Sequence, residues 1–214
     1  MWAALLPLVS AALTSGDASA FFPTKTGTSW TYSEQAGRSH EVFTDRVGKA
    51  TKLVDTEAVP FTTESHGQVS EPTYYLVQGD TVFVVFKSFT KKEVDGVTVR
   101  DPKTYQYPVL KVSDKRESWE FVGKTEFMKT VADMVLKGNS RPAGKRKVLG
   151  KEVECIEVVL DVMYGAAGEP PVKTYQKSVY GKGIGLIEME QTTTVNKEKY
   201  SSKRTLVSMD EPHS

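Results

Sequence analysis

The chain has 214 residues, 39% hydrophobic and 26% charged, with 28 Lys and Arg against 27 Asp and Glu for a net charge of +1. This composition suits one soluble domain with a medium core and is too polar for an integral membrane protein or a collagen-like chain. Near-neutrality also removes any global electrostatic case for a nucleic acid or an acidic substrate as partner.

The first predicted element is a leader. Trp2 to Leu13 is an uncharged apolar run, shorter than the roughly 20 residues that span a bilayer, and it leads to Ala18-Ser19-Ala20, an A-x-A cleavage pattern. The spacing reads as a signal peptide over 1–20, although no basic residue precedes the apolar run. The competing reading is a buried N-terminal helix, against which Pro7 argues. Cleavage after Ala20 would leave a single β-rich domain over 21–209 that begins Phe21-Phe22-Pro23, followed by a frayed tail at 210–214. With no cysteine at the cleavage point, a lipid anchor is not expected, and the expected location is periplasmic or secreted.

From Trp30 to Leu206 the chain alternates apolar and polar residues and is rich in β-branched and aromatic types. Strands are expected at 29–35, 39–47, 50–59, 104–112, 116–122, 152–163, 173–180, 184–195 and 199–208. The clearest hairpin joins Thr73–Gln78 to Thr81–Phe86 through Gly79-Asp80, where Gly79 supplies the positive φ of a tight turn. A second is expected around Asp95-Gly96. The segment 126–137 reads two ways. Met128, Thr130, Ala132, Met134 and Leu136 alternate against Lys129, Asp133 and Lys137, while Phe127, Val131 and Val135 fall at helical spacing. A strand is favoured; the alternative is one helix packed across the sheet and stopped at Gly138-Asn139. The pattern as a whole describes an all-β chain, with at most that one helix, in a meander of antiparallel strands.

Two segments share a local plan. FFPTKTGTSWTYS and YPVLKVSDKRESWEFV each start near a proline, turn, and enter a strand through Ser-Trp-x-aromatic. Alternation places Trp30 and Tyr32 on one sheet face, and likewise Trp119 and Phe121. These two Trp residues, the only ones left once the leader is gone, are expected to anchor the core.

The opening Pro-x-Lys-x-Gly-x-x-Trp-x-Tyr over Pro23–Tyr32, the mid-chain SWEF, Pro142-Ala143-Gly144 before Cys155-Ile156-Glu157-Val158, and VYGKGIGLIEME at 179–190 together resemble exported bacterial proteins of uncharacterised function. These share a closing Gly-Val-Gly-Leu-Val type strand. Here the residues after Pro142-Ala143-Gly144 are basic, and Asp114-Lys115-Arg116 stands where the family tends to have Gly. The resemblance implies a single strongly curved antiparallel sheet, open or a half-barrel, remotely similar to the half-barrel periplasmic carriers that shield the lipid chains of lipoproteins. It implies no catalytic residues.

No motif in the chain carries a recognisable reaction. Cys155, the sole cysteine, lies in a strand-like run where a small buried hydrophobe is the expected role. Gly181-Lys182-Gly183-Ile184-Gly185 lacks the GxxxxGK[ST] or GxGxxG pattern opening a helix, so a tight turn or bulge is expected instead. His40, His66 and His213 are dispersed, which leaves no metal-ligand spacing. Glu152 with Glu154, and Glu188 with Glu190, share strand faces, the usual mark of a solvated face rather than a glycosidase pair. In Ser39-His40-Glu41, sequence neighbours fall on opposite strand faces, the wrong geometry for a nucleophile and its base. No enzyme, cofactor or metal is expected.

Three functions remain open. The first is a binding module whose concave sheet face holds an apolar or lipid-like ligand, lined by Trp30, Tyr32, Phe83, Trp119 and Phe121; the same residues would equally fill a closed core. The second is a structural or interaction protein of the cell envelope. It would act through sheet edges or the basic patch Arg141, Lys145, Arg146, Lys147 and Lys151, for which a solvated loop is the favoured reading. That patch has no interleaved aromatics and an exported chain does not meet nucleic acid, so none is expected as partner. The third is a hydrolase without a recognisable motif. A monomer is expected.

Overall fold

The computed structural model describes residues 16–94, 97–127, 130–165 and 168–212. Its strands are β1 (Ser29–Ala36), β2 (Ser39–Val47), β3 (Thr51–Leu53), β4 (Thr56–Ser65), β5 (Gln68–Val69), β6 (Thr73–Gln78), β7 (Thr81–Val94), β8 (Val97–Lys111), β9 (Glu117–Phe127), β10 (Thr130–Val148), β11 (Lys151–Gly165), β12 (Val172–Gly181), β13 (Gly185–Val195) and β14 (Glu198–Asp210). They form one sheet in the order β8-β7-β6-β4-β2-β1-β14-β13-β12-β11-β10-β9, with β3 and β5 added to β4. Every pairing between these strands is antiparallel, and β1 joins β14, so the two ends of the chain meet in mid-sheet. The only helical turn among the described residues is a single 3-10 turn at Ala18–Ala20.

The sheet coils until its two edge strands, β8 and β9, face one another. Among the described residues no backbone ladder joins them. Side chains stand in for it: Lys111 Nζ lies 3.5 Å from Glu117 and 5.9 Å from the centre of the Trp119 ring, and the Thr125 hydroxyl approaches the Tyr107 phenol. The lower end of β8 also comes close to β10 and β11. That approach needs a thin wall, and Gly138 provides it, because the Trp119 ring occupies the space a Cβ would take there.

One end of the barrel, where the turns 79–80, 112–116 and 182–184 gather, is plugged by the N-terminal segment. Asp17 caps the 3-10 turn by accepting from Ser19 N at 2.9 Å. Ala18 N donates to Gly79 O at 3.0 Å, and Gly183 N donates to Ala20 O at 2.6 Å. Ala18 is fully buried in the first of two apolar clusters, with Phe21, Val82, Leu110, Val158 and Leu160. Phe22 completes an aromatic triangle, 5.2 Å from Phe61 and 4.9 Å from Tyr75, with Phe61 and Tyr75 themselves 4.9 Å apart. The second cluster gathers Trp30, Tyr32, Phe43, Val47, Cys155, Val179, Ile184 and Ile187. Trp30 is fixed there by its indole N–H, which donates to Ile184 O.

The antiparallel meander and the curved sheet are as expected, and 126–137 is strand where it is described, as the end of β9 and the start of β10. Residues 128–129, the expected turn at Asp95-Gly96 and residues 1–15 of the expected leader lie outside the described residues. Two expectations are corrected. The run 50–59 is two strands, because Val54 turns the chain with φ of 56° and β3 folds back on β4. The basic stretch 141–151 is a strand hairpin rather than a loop: β10 runs through it to Val148, with a bulge between Pro142 and Gly144.

Two measurements test this packing. Gly138→Ala would place a Cβ about 2.0 Å from Trp119 Cε2, and thermal melts should show a loss of about 1–3 kcal/mol from overpacking. A chain beginning at Phe21, compared with one beginning at Gly16, loses the Ala18 burial, the two backbone bonds that tie the segment to Gly79 and Gly183, and the bonds within its turn, and should be less stable by about 1–3 kcal/mol in urea titrations.

Candidate functional site

Alternation along each strand sends one set of side chains into the barrel, and they do not fill it. A cavity of about 410 Å³ remains, within the roughly 300–1,000 Å³ span of small-molecule sites. Aromatic and aliphatic side chains line it, Phe22, Trp30, Phe61, Tyr75, Leu136, Leu160 and Tyr180 among them. Polar residues Thr125, Glu126, Tyr164, Thr174, Gln176 and Gln191 stand among these, with Gln176 opposite Leu160 and Thr174 opposite Val162 across the β11–β12 ladder. Hydrogen bonds hold part of this polar lining, from Gln176 Nε2 to Ser178 Oγ at 2.9 Å and from Gln191 Nε2 to Thr193 Oγ1 at 3.2 Å.

Phenols line much of the interior. Burial drives the Tyr75 hydroxyl well above its ordinary pKa, and Tyr180 to about 12 despite a nearby Ser178 hydroxyl. Tyr32 is raised chiefly by burial and then by the Asp45 carboxylate; its hydroxyl donates to Leu186 O at 3.2 Å. These groups stay neutral at physiological pH, where they are hydrogen-bonding walls rather than bases.

The charged feature of the wall is Asp45, on β2 directly opposite Trp30 of β1. Thr63 Oγ1 donates to Asp45 Oδ1 at 2.6 Å. Arg204 stands 3.8 Å from Oδ2, but its closer contacts are with Glu34, where Nε and Nη2 both lie 2.9 Å from Oε2. The guanidinium also lies over Phe43 at 4.4 Å and over Tyr32 at 5.6 Å. Burial raises the Asp45 pKa, Thr63 and Arg204 counter part of that, and the Glu34 charge adds to it.

Of the residues expected to line a ligand site, the structure brings Trp30 and Tyr32 to the cavity. Trp119 and Phe121 lie beyond its lining, their rings folded over Gly138 and Gly123 in the wall. Phe83 adjoins Val84, which lines the cavity, so strand alternation directs it to the opposite face. Trp119 Nε1 and Ser140 Oγ are buried without a hydrogen-bond partner, and neither residue lines the cavity. The basic residues acquire partners across the ladder: Arg141 pairs with Glu157 at 2.7 Å, Lys145 with Glu152 at 3.3 Å, and Arg146 with Glu188 at 3.9 Å. Lys147 is exposed opposite Glu152.

Chemistry elsewhere is sparse. Cys155 is buried, its thiol donates to Val153 O at 3.5 Å, and burial raises its pKa, which suppresses the thiolate. A Ser-His-Glu grouping does occur at the β4–β5 turn. There Ser65 Oγ contacts both Glu41 and His66 Nδ1, and Nδ1 itself lies 3.6 Å from Glu41. The imidazole side chain is 82% exposed, and one ring nitrogen faces both partners, so it cannot relay a proton between them. Among the described residues no group of three or more His, Cys, Asp or Glu is placed to hold a metal, and no helix is long and apolar enough to cross a membrane.

No known protein family and no curated protein matches the chain. Among solved structures, it is similar to a candidate lipoprotein of Parabacteroides distasonis, at 14% identity and a TM-score of 0.49, over 89% of this chain and 98% of that one. It is also similar to a candidate exported protein with a YmcC-like fold from Bacteroides fragilis, at 12% identity and a TM-score of 0.45, over 89% of this chain and 99% of that one.

The electrostatics of the wall can be checked at Glu157, whose side chain is 10% exposed and pairs with both Arg141 and Lys177. Burial pushes its pKa up, but hydrogen bonds and charge from Lys177 and Arg141 outweigh that and hold it below the ordinary value. The folded form therefore favours the carboxylate. Its contribution is present above the unfolded pKa and is lost as pH falls through the lowered folded value. Glu157→Gln should cost about 1–2 kcal/mol at neutral pH, and the gap from the parent in denaturant titrations should close on acidification.

Proposed function

We propose that the chain is an exported, non-enzymatic binding protein that holds an apolar or lipid-like ligand inside its coiled sheet. The observation that carries this reading is the cavity: about 410 Å³, lined by aromatic and aliphatic side chains with hydroxyls, amides and carboxylates set among them. A core packed for stability alone leaves few voids larger than a water molecule. Trp30 and Tyr32 are the ligand-facing residues named from sequence that the lining retains, joined by Phe22, Phe61 and Tyr75. The protein acts as a monomer.

The alternative, an envelope interaction protein using Arg141, Lys145, Arg146 and Lys147, draws less support. Three of these four cations already face a carboxylate of their own sheet. A hydrolase lacks a buried nucleophile with a base beside it among the described residues.

Native mass spectrometry of the gently purified protein should show a bound small molecule, or uptake of an alkyl-chain amphiphile on titration. Met189→Trp, which fills part of the cavity wall, should weaken uptake by about tenfold or more while the fold persists. An apo mass with no uptake by the parent protein would remove the reading.

A further inference from the structure

Asp45 carries a more specific statement about the ligand, one that rests on the cavity reading. Its carboxylate sits on the cavity wall in direct register with Trp30 on β1 and Thr63 on β4. Trp30 on β1 stacks on Phe61 on β4 with ring centres 5.8 Å apart and planes 8° from parallel, so aromatic residues come from both strands that neighbour Asp45 on β2. The charge of Asp45 is only partly met: Thr63 supplies one hydrogen bond to Oδ1, while Arg204 reaches Oδ2 at 3.8 Å and gives its close contacts to Glu34. Glu34, Asp45 and Arg204 together leave one negative charge uncompensated at this wall, and Glu126 adds another carboxylate to the lining.

An under-compensated carboxylate with aromatic residues on both neighbouring strands favours a cation, which gains from the ring quadrupoles as well as from the charge. An anionic headgroup meets the opposite conditions, since it would have to displace Glu34 from Arg204 to find a partner. We propose that the cavity selects a cationic amphiphile, with an ammonium group seated at Asp45 beside Trp30 and its alkyl chain along the aliphatic side chains Leu136, Leu160 and Val162. Arg204 shows that cations are accepted on this surface, because its guanidinium already rests over Phe43 and Tyr32.

Calorimetric titration of the folded chain with dodecyltrimethylammonium, dodecyl maltoside and laurate, each below its micelle concentration, tests the proposal with one chain length and three head charges. The trimethylammonium probe should bind about tenfold tighter than the maltoside, and laurate should bind weakest. Asp45→Asn should bring the trimethylammonium affinity down to that of the maltoside. The ranking on the unmodified protein decides the matter even if the variant folds poorly. Equal binding of all three, a preference for laurate, or a cation preference that survives Asp45→Asn would overturn the head-group proposal and leave the cavity reading standing. Binding of none would overturn both.

Discussion

The backbone bonds from Ala18 to Gly79 and from Gly183 to Ala20 hold two distant turns of one sheet to a single short segment, and the interior takes its form from that tie. A coiled sheet whose edges are not laddered would otherwise have to close by collapse, with its inner side chains meeting across the axis. Here Ala18 and Phe21 fill one end, and Phe22 packs edgewise among Phe61 and Tyr75. The strands are thereby held apart above the plug, and the space between them is left unfilled. The same segment contributes Phe22 to the lining, where aromatic and aliphatic side chains stand among hydroxyls and amides.

Within that space, placement decides which charges are settled and which are not. Arg204 and Glu34 are adjacent across the β1–β14 ladder, and their paired nitrogens at 2.9 Å satisfy one carboxylate. Asp45 is one strand further and receives what is left. On the outer surface the opposite holds, where Lys203 meets both Glu188 and Glu190, and Lys182 meets Glu154. These exposed pairs contribute little to stability.

Much of the sheet could be read directly, because alternation is a local signal: 39–47 appears as β2 with the same bounds, and Gly79 turns with φ of 59° as its position suggested. The failures are equally local in cause. Val54 makes a turn without glycine or asparagine, so the run through it looked continuous. Residues 141–148 looked like a loop because their carboxylate partners lie on β11 and β13, across the ladder. The cavity was legible only in part. Trp30 and Tyr32 could be placed on one face by spacing, whereas the convergence of Asp45, Glu34 and Arg204 depends on register between strands up to 170 residues apart. No pattern within a strand encodes that, and the bulge opposite Val82 and Phe83, where Val109 is the extra residue, likewise shifts which residues face inward on β8.

Side chains, not a ladder, set the girth of this barrel at the seam between β8 and β9. Elsewhere in the wall, separating two strands means breaking a row of backbone hydrogen bonds. At the seam, among the described residues, it means parting an ion pair, a cation over a ring and a contact between hydroxyls, together with the apolar cluster that Leu110 and Val112 share with Trp119. The wall is therefore held along this single line by side chains alone, and parting it would leave every ladder intact.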